Sequence, residues 1–180
     1  TAEQWIDAAN LGFRWVAKAR MARVIPATVT DAFTEGRGTF DVRVLGIRIQ
    51  RLPAGDETDS GEFLRLIAEL PWCPVAYTHP DLSWDAIDSR NLRVRFAHRS
   101  VHGTMNFVVD EQGRVLEARA DSRGRSIGKV MVPTPWWGLY GDYKDYGGVR
   151  LPSTAEVFWG APEGAFAYVR IEIVEAALEF

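Results

Sequence analysis

Three histidines are the side chains best suited to metal or proton chemistry near neutral pH. If Arg99-Ser100 forms a two-residue turn, His98 and His102 fall on opposite faces of a hairpin. In one continuous strand they would share a face but lie about 13 Å apart. Only a three-residue loop would bring them side by side. His79 follows in a proline-rich segment without a partner at strand or helix spacing. We therefore predict no metal site and no cofactor.

Two carboxylates could serve as acid and base if they converge in one cleft. Asp142 and Glu156 lie on predicted partner strands and could face each other. Either one can equally cap an exposed ladder position or pair with Lys144 or Arg150, and we favour that interpretation. His98 is a further candidate acid or base. We predict no catalytic residue from these patterns.

The single cysteine, Cys73, could act as a nucleophile with His79. Because it is flanked by Trp72 and Pro74, we expect it to be buried instead. One cysteine excludes an internal disulfide and permits either a cytoplasmic or a cell-envelope location. The sequence begins at Thr1 rather than at an initiator methionine, so the removal of an upstream signal or anchor remains open. Neither a nucleophile elbow nor a phosphate-binding glycine loop occurs.

Aromatic residues are the one class in excess, with seven Trp, nine Phe and five Tyr among 180 residues. They can simply fill a core between a helix and a sheet. They can also line an apolar cavity with a few polar groups, which is the usual form of a small-molecule site. On that hypothesis we predict that the ligand-binding residues are Trp15, Trp72, Phe96, His98, Trp137 and Tyr143.

The elements that must position these residues start with a long β-hairpin over residues 134–159. Gly147-Gly148 suits a tight turn, since glycine adopts positive φ without steric cost. Apolar residues alternate on both sides of the turn, as in a strand with one buried face. Trp137 has the parity of Leu139 and Tyr143. That parity predicts that Trp137 faces the interior and Trp136 the outside.

One amphipathic helix is predicted before Pro71. Asp59 and Glu62 have the spacing of a capping box, which places the helix start there. Apolar residues then recur at helical spacing, and they predict that Phe63 and Ile67 face the sheet. Glu69 falls on the opposite side, where we expect exposure to solvent.

Most of the remaining chain alternates with period two, which indicates strands. In residues 39–50 the alternation changes phase at Leu45-Gly46, and we predict a β-bulge or a sharp bend there within one strand. Short turns between successive strands require antiparallel neighbours. The predicted fold is mainly β with one clear helix (α+β). It is a curved antiparallel sheet or unclosed half-barrel of about nine or ten strands, with the helix on its concave face, in a single domain over residues 1–180.

Charge and hydropathy narrow the class of partner. The net charge is −3 and the sequence pI is near 5.6. Since nucleic-acid binders carry a basic excess, no nucleic-acid partner is expected. No apolar run approaches the roughly 20 residues that span a bilayer, so we expect no transmembrane segment in this chain. Arg93, Arg95 and Arg99 form a row that is either the wet face of a strand or a site for an anionic headgroup.

Several segments together resemble a family of uncharacterised bacterial proteins that has no assigned activity. These segments are Thr1-Ala-Glu-Gln-Trp-Ile6, Gly12-Phe-Arg-Trp15, the Ser60 to Pro74 helix with Glu-Leu-Pro-Trp-Cys-Pro at its end, Thr134-Pro-Trp136 with Gly141-Asp-Tyr143, and Gly147-Gly-Val-Arg-Leu-Pro152 followed by Glu156-Val-Phe-Trp159. The Gly-Gly-Val-x-Leu-Pro element is also similar to the closing strands of lipoprotein-sorting proteins of the LolA/LolB type. That second resemblance implies an unclosed antiparallel half-barrel that carries an acyl chain on its concave face.

Together these features predict non-enzymatic binding of an apolar or lipid-like ligand in a cavity between the curved sheet and the helix. Two alternatives stay open. One is an enzyme that acts on a small hydrophobic substrate, with Asp142, Glu156 or His98 as acid or base. The other is an interaction module whose exposed edge strand pairs with a partner chain. The oligomeric state does not follow from the sequence.

Overall fold

The computed structural model describes residues 1–21, 24–128 and 130–179. Within these residues the chain forms twelve strands, all paired antiparallel, and one α-helix. The strands make two open sheets of five and seven strands. The mainly β class with a single helix is therefore confirmed, whereas the prediction of one sheet with nine or ten strands is wrong.

The first sheet contains five strands that follow one another in chain order. They are β1 (Ala2–Asp7), β2 (Gly12–Met21), β3 (Ile25–Thr34), β4 (Arg37–Val44) and β5 (Ile47–Arg51). Each strand pairs with the next, so the described turns connect simple hairpins. The edges of this sheet are β1 and β5.

The second sheet contains seven strands, again in chain order. They are β6 (Leu82–Ala86), β7 (Asn91–His98), β8 (Val101–Val109), β9 (Val115–Ile127), β10 (Val130–Tyr146), β11 (Val149–Ala161) and β12 (Gly164–Glu172). The turn between β10 and β11 is the predicted pair Gly147-Gly148, with φ of 65° and 91°. Positive φ at both central residues is the mark of a type I′ hairpin turn.

The phase change at Leu45-Gly46 is a hairpin turn and not a bulge. Val44 pairs directly with Ile47 across the turn, and Leu45 and Gly46 have φ of 51° and 79°. The predicted strand over residues 39–50 is thus two strands, which accounts for part of the undercount. Only one of the two turn residues is glycine, and leucine rarely adopts positive φ. The residue types at Leu45-Gly46 therefore do not indicate a tight turn.

The helix α1 (Asp56–Glu69) lies between the two sheets, and two short 3-10 turns follow it at Leu70–Trp72 and Pro74–Thr78. It packs against β3 and β4 of the first sheet and against β8, β9 and β10 of the second. Phe63 and Ile67 are fully buried, as predicted. No helix in the described part of the chain is long and apolar enough to cross a membrane.

Both sheets cover α1, so its polar side is buried as well. Glu69, predicted to be exposed, is only 6% accessible, and that prediction is wrong. The predicted capping box is also wrong: the helix begins at Asp56, and Asp59 lies inside it. One carboxylate oxygen of Asp59 accepts from the backbone N–H of Gly38 at 2.7 Å. Amphipathic spacing shows that a helix has a polar side, but it does not show whether water or another sheet meets that side.

Aromatic rings fill the space between α1 and the sheets. Phe63 of the helix packs edge-on against Phe33 of β3 and at a tilt against Phe96 of β7, with ring centroids 5.0 Å apart in both pairs. In the second sheet the ring of Trp84 packs against Phe107 at 5.3 Å. These five rings form one continuous core with the aliphatic side of α1. Much of the aromatic excess is thus core filling.

The two adjacent tryptophans of β10 have the opposite orientation to the predicted one. Trp136 is 3% exposed, and its indole N–H donates to the Tyr168 hydroxyl at 3.0 Å. Trp137 lies on the other face of the sheet, stacked on Phe158 with 4° between the ring planes. The predicted parity was taken partly from Tyr143. Asp142, with φ of 49°, interrupts the alternation before that residue.

We expect Trp136→Ala to lower the free energy of unfolding by about 3–5 kcal/mol, because it removes a large side chain from the core. Trp137→Ala should cost less than about 2 kcal/mol, since it removes a partly exposed stacking partner. Urea denaturation followed by circular dichroism measures both. Equal midpoints for the two variants would contradict this assignment of faces.

Candidate functional site

The six residues predicted to bind a ligand do not line one site. Phe96 and His98 are buried in the core against Phe63, and the His98 ring stacks on it with centroids 5.4 Å apart. Trp15 lies at the first sheet, with the guanidinium of Arg65 at 5.1 Å from its ring centroid. The core around these residues is occupied by protein side chains. Their role in ligand binding stays a prediction.

The other three lie at the second sheet. The indole N–H of Trp72 donates to the Pro152 carbonyl at 2.8 Å. The Tyr143 hydroxyl donates to the Val115 carbonyl at 2.9 Å, and burial raises the pKa of Tyr143 to about 12. Trp137 is on the outer face, where it cannot meet the others. The predicted set is thus divided between two faces of the molecule.

Two of the three histidines, His79 and His98, form a small polar cluster with Asp81 at the start of the second sheet. Nδ1 of His98 lies 2.7 Å from Oδ2 of Asp81, and the His79 ring lies edge-on to the His98 ring. His98 pairs with Val101 across a two-residue turn, which places His102 on the opposite face as the first alternative requires. Among the residues that the structure describes, no group of three His, Cys, Asp or Glu side chains is arranged to hold a metal ion.

The candidate acid and base residues have separate partners. Glu156 accepts from Arg170 at 2.6 Å, and it pairs in register with Leu139 rather than with Asp142. An oxygen of Asp142 lies 3.4 Å from the Thr154 hydroxyl. His98 is engaged with Asp81 in the core. These contacts do not assemble the three predicted groups in one cleft.

Cys73 is buried as expected, and two arginines of the predicted anion-binding row, Arg93 and Arg95, have partners on neighbouring strands. The burial of Cys73 raises the pKa of the thiol, which disfavours the reactive thiolate. Arg93 donates to the Asn106 side chain at 3.0 Å, and Arg95 pairs with Asp85 across the strands. Ordinary cross-strand pairing accounts for both arginines.

A buried row of charged side chains, which the sequence analysis missed, runs along α1. Asp59, Glu62, Arg65 and Glu69 follow one another at spacings of three and four, so they share one side of the helix. Arg65 bridges Glu69, at 2.9 Å, and Asp31 of β3. The Gln4 side chain of β1 also donates to Glu69 at 2.6 Å. This row connects α1 to three strands of the first sheet.

Burial and charge oppose each other at this row. Burial by itself lowers the pKa of Arg65, but the carboxylates of Glu69 and Asp31 outweigh it, so that pKa is raised. Burial raises the pKa of Glu62 well above its usual range, although the nearby Arg123 guanidinium acts in the opposite direction. Four charged residues at this spacing usually indicate a solvated side of a helix, so their burial could not be predicted from the spacing.

The part of the first sheet that extends past this row is barely covered. We call residues 16–20, 24–30 and 41–51 the distal half. Within it only Ala27 is buried among the described side chains. The Leu45-Gly46 turn lies beside the start of β3, because the backbone N–H of Leu45 donates to the Pro26 carbonyl at 3.0 Å. Large aliphatic side chains at this turn, at the start of β3 and on β5 are exposed: Val24 74%, Ile25 37%, Leu45 66%, Ile47 70% and Ile49 57%.

The distal half is also strongly basic. Five of its described basic side chains are exposed, namely Lys18, Arg20, Arg43, Arg48 and Arg51. Its one described acidic side chain is the partly buried Asp41. Strand register places Lys18, Arg43 and Arg48 in one row across the sheet. Asp41 accepts from Arg43 and Arg48. This concentration of positive charge contrasts with the net charge of −3 of the chain, and charge counted along the sequence could have revealed it.

Glu69→Lys should lower the free energy of unfolding by at least about 3 kcal/mol, because it removes a carboxylate from Arg65 and places a second cation in a buried site. The matched control is Glu57→Lys, an exposed position on the same helix, with an expected cost below about 1 kcal/mol. Thermal unfolding at neutral pH compares the two. Equal costs would show that the polar side of α1 faces solvent.

Comparison with known proteins gives a family but no activity. A model of a family of unknown function, DUF6544, matches residues 1–171. No curated protein and no solved structure matches the chain. None of these comparisons supports the likeness to LolA/LolB-type proteins. Because the match covers nearly the whole sequence, the chain belongs to the family of unknown function DUF6544.

Proposed function

We propose that this protein is a non-enzymatic lipid-binding module whose distal half docks on an anionic membrane surface. The observation that carries the proposal is the joint exposure of aliphatic side chains, at the Leu45-Gly46 turn and the start of β3, and of basic side chains just behind them. In this arrangement the turn around Leu45 and the chain around Val24 enter the boundary between headgroups and acyl chains. The rest of the fold stays outside the membrane.

The aliphatic side chains supply the apolar contribution. Leu45 and Ile47 are each about two-thirds exposed in the free protein. Full burial of such a side chain is worth about 1.5–3 kcal/mol. Exposed aliphatics that cluster at one place mark an interaction site, whereas scattered ones do not. Ile25 and Val24 lie at the adjacent start of β3, so the contributions can add in a single docking event.

The basic side chains supply the electrostatic contribution. Lys18, Arg43 and Arg48 share one row across the sheet, in which Arg43 and Arg48 form the second pair from the Leu45-Gly46 turn, and Arg20 lies one residue before the end of β2. Each Lys or Arg near an anionic leaflet is worth about 1 kcal/mol. Long cationic side chains can reach headgroup phosphates while their aliphatic stems cover apolar surface. The positive charge of the distal half favours an anionic lipid surface over an apolar partner that has few acidic groups.

This proposal keeps the class of ligand predicted from the sequence but moves the site. The space between α1 and the second sheet is filled by Phe63, Phe96 and their neighbours. An acyl chain there would have to displace fully buried side chains. The distal half offers apolar surface without such displacement, since helix and second sheet leave it open.

Co-sedimentation with lipid vesicles tests the proposal. We expect binding to vesicles of phosphatidylcholine mixed with an equal amount of phosphatidylglycerol, and much weaker binding to phosphatidylcholine alone. Lys18→Gln with Arg20→Gln should weaken binding by about 30-fold, from about 1 kcal/mol for each charge. Leu45→Ser with Ile47→Ser should weaken it at least as much. Added salt should weaken wild-type binding, because it screens exposed charge.

Matched controls lie on the outer face of the second sheet. Leu116 and Leu139 are exposed to 41% and 38%. Leu116→Ser with Leu139→Ser should leave vesicle binding unchanged, and so should Arg170→Gln. Equal losses in the control and distal-half variants, or equal binding to both kinds of vesicle, would refute the proposal.

A further inference from the structure

A buried carboxyl group on α1, Glu62, faces a buried carboxyl group on β3, Asp31, and each has one oxygen without a hydrogen-bond partner among the described residues. Asp31 of β3 uses Oδ2 to accept from Arg65. Glu62 of α1 has Oε1 at 3.6 Å from the Arg123 guanidinium of β9. Oδ1 of Asp31 and Oε2 of Glu62 are both buried and unpaired among the described residues. Such orphaned polar atoms are costly and need an explanation.

The charges that face this pair do not balance when every carboxyl group is ionised. Arg65 is shared between Asp31 and Glu69. Arg123 reaches Glu62, donates through Nε to the Gly61 carbonyl at 2.9 Å and lies over the Trp136 ring. Three carboxylates thus meet two guanidinium groups. Asp59, the remaining carboxylate on this side of α1, accepts from the backbone N–H of Gly38 and from Arg37.

We propose that Asp31 and Glu62 share one proton, carried by Glu62, and that its loss loosens α1 from the first sheet. A Glu62 O–H that donates to Oδ1 of Asp31 gives both orphaned oxygens a partner at once. It also reduces the three carboxylates to two, which match the two guanidinium groups. Like-charged carboxylates in contact keep one proton between them for the same reason.

The titration behaviour agrees with this geometry. Burial is the main cause that raises the pKa of Glu62 well above its usual range, and the charge and hydrogen bond of Asp31 add to it against the opposing Arg123. The folded protein therefore retains a proton that the unfolded chain releases near its ordinary pKa of about 4.3. Stability is fully present below that pH and falls as the pH rises towards the pKa of the folded state.

The position of the pair gives the proton a mechanical role. Asp31 belongs to the first sheet, Glu62 to the helix, and Arg123 to the second sheet. When Glu62 ionises, repulsion from Asp31 acts directly across the contact between α1 and the first sheet. The pair thereby makes the attachment of that sheet sensitive to rising pH. This inference does not depend on membrane docking, since it concerns the free protein.

A carbon-detected NMR titration of the side-chain carboxyl of Glu62 in the wild-type protein tests the inference directly. We expect the carboxyl signal of Glu62 to remain that of the protonated acid at neutral pH. A transition in the ordinary range of an exposed glutamate would overturn the proposal. This measurement does not rely on any variant that could fail to fold.

Glu62→Gln supplies the second test, because its amide can donate to Asp31 without a titrating proton. The thermal midpoint of the wild type should fall relative to that of Glu62→Gln as the pH rises above about 4.3. The control Glu57→Gln, exposed on the same helix, should keep the wild-type dependence on pH. Parallel pH profiles for wild type and Glu62→Gln would also overturn the proposal.

Discussion

A helix with four charged side chains on its covered side can lie between two sheets only if these charges find partners there. Arg65 is the central group in this arrangement. Its guanidinium meets Asp31 and Glu69, and its flat face lies over the rings of Phe13 and Trp15. Without such pairing, the desolvation of an isolated charge would outweigh what aliphatic burial on the other side of the helix contributes. The two-sheet architecture depends on this neutralisation.

The helix also decides which part of the first sheet belongs to the core. Its side-chain hydrogen bonds to the first sheet reach Gln4, Asp31 and the start of β4 at Arg37 and Gly38. Up to these residues the sheet buries Phe13 and Phe33. Beyond these residues, the same strands carry exposed aliphatic and basic side chains. A single structural element therefore separates a packing surface from a surface available for binding.

Local signals predicted much of the fold. Alternation located most strands, the Gly147-Gly148 pair located the longest hairpin turn, and periodic apolar residues located the helix with Phe63 and Ile67 on its buried side. Local signals failed where one pattern allows two structures. A change of phase can be a bulge or a turn, and Leu45 gave no sign of its positive φ. Alternation also stops predicting the face of a side chain across an irregular residue such as Asp142. The faces of Trp136 and Trp137 were therefore predicted the wrong way round.

The sequence by itself determined the mainly β class, the antiparallel pairing, the single helix and the family. It also contained the concentration of basic residues on the distal half, which a charge count along the chain makes visible. Only the tertiary structure decided that the polar side of α1 is buried, that Asp31 meets Glu62 over a separation of 31 residues, and that the aliphatic side chains of the distal half are left uncovered. The physical reason is that periodicity reports which residues share a side of an element. What covers that side depends on contacts between distant segments.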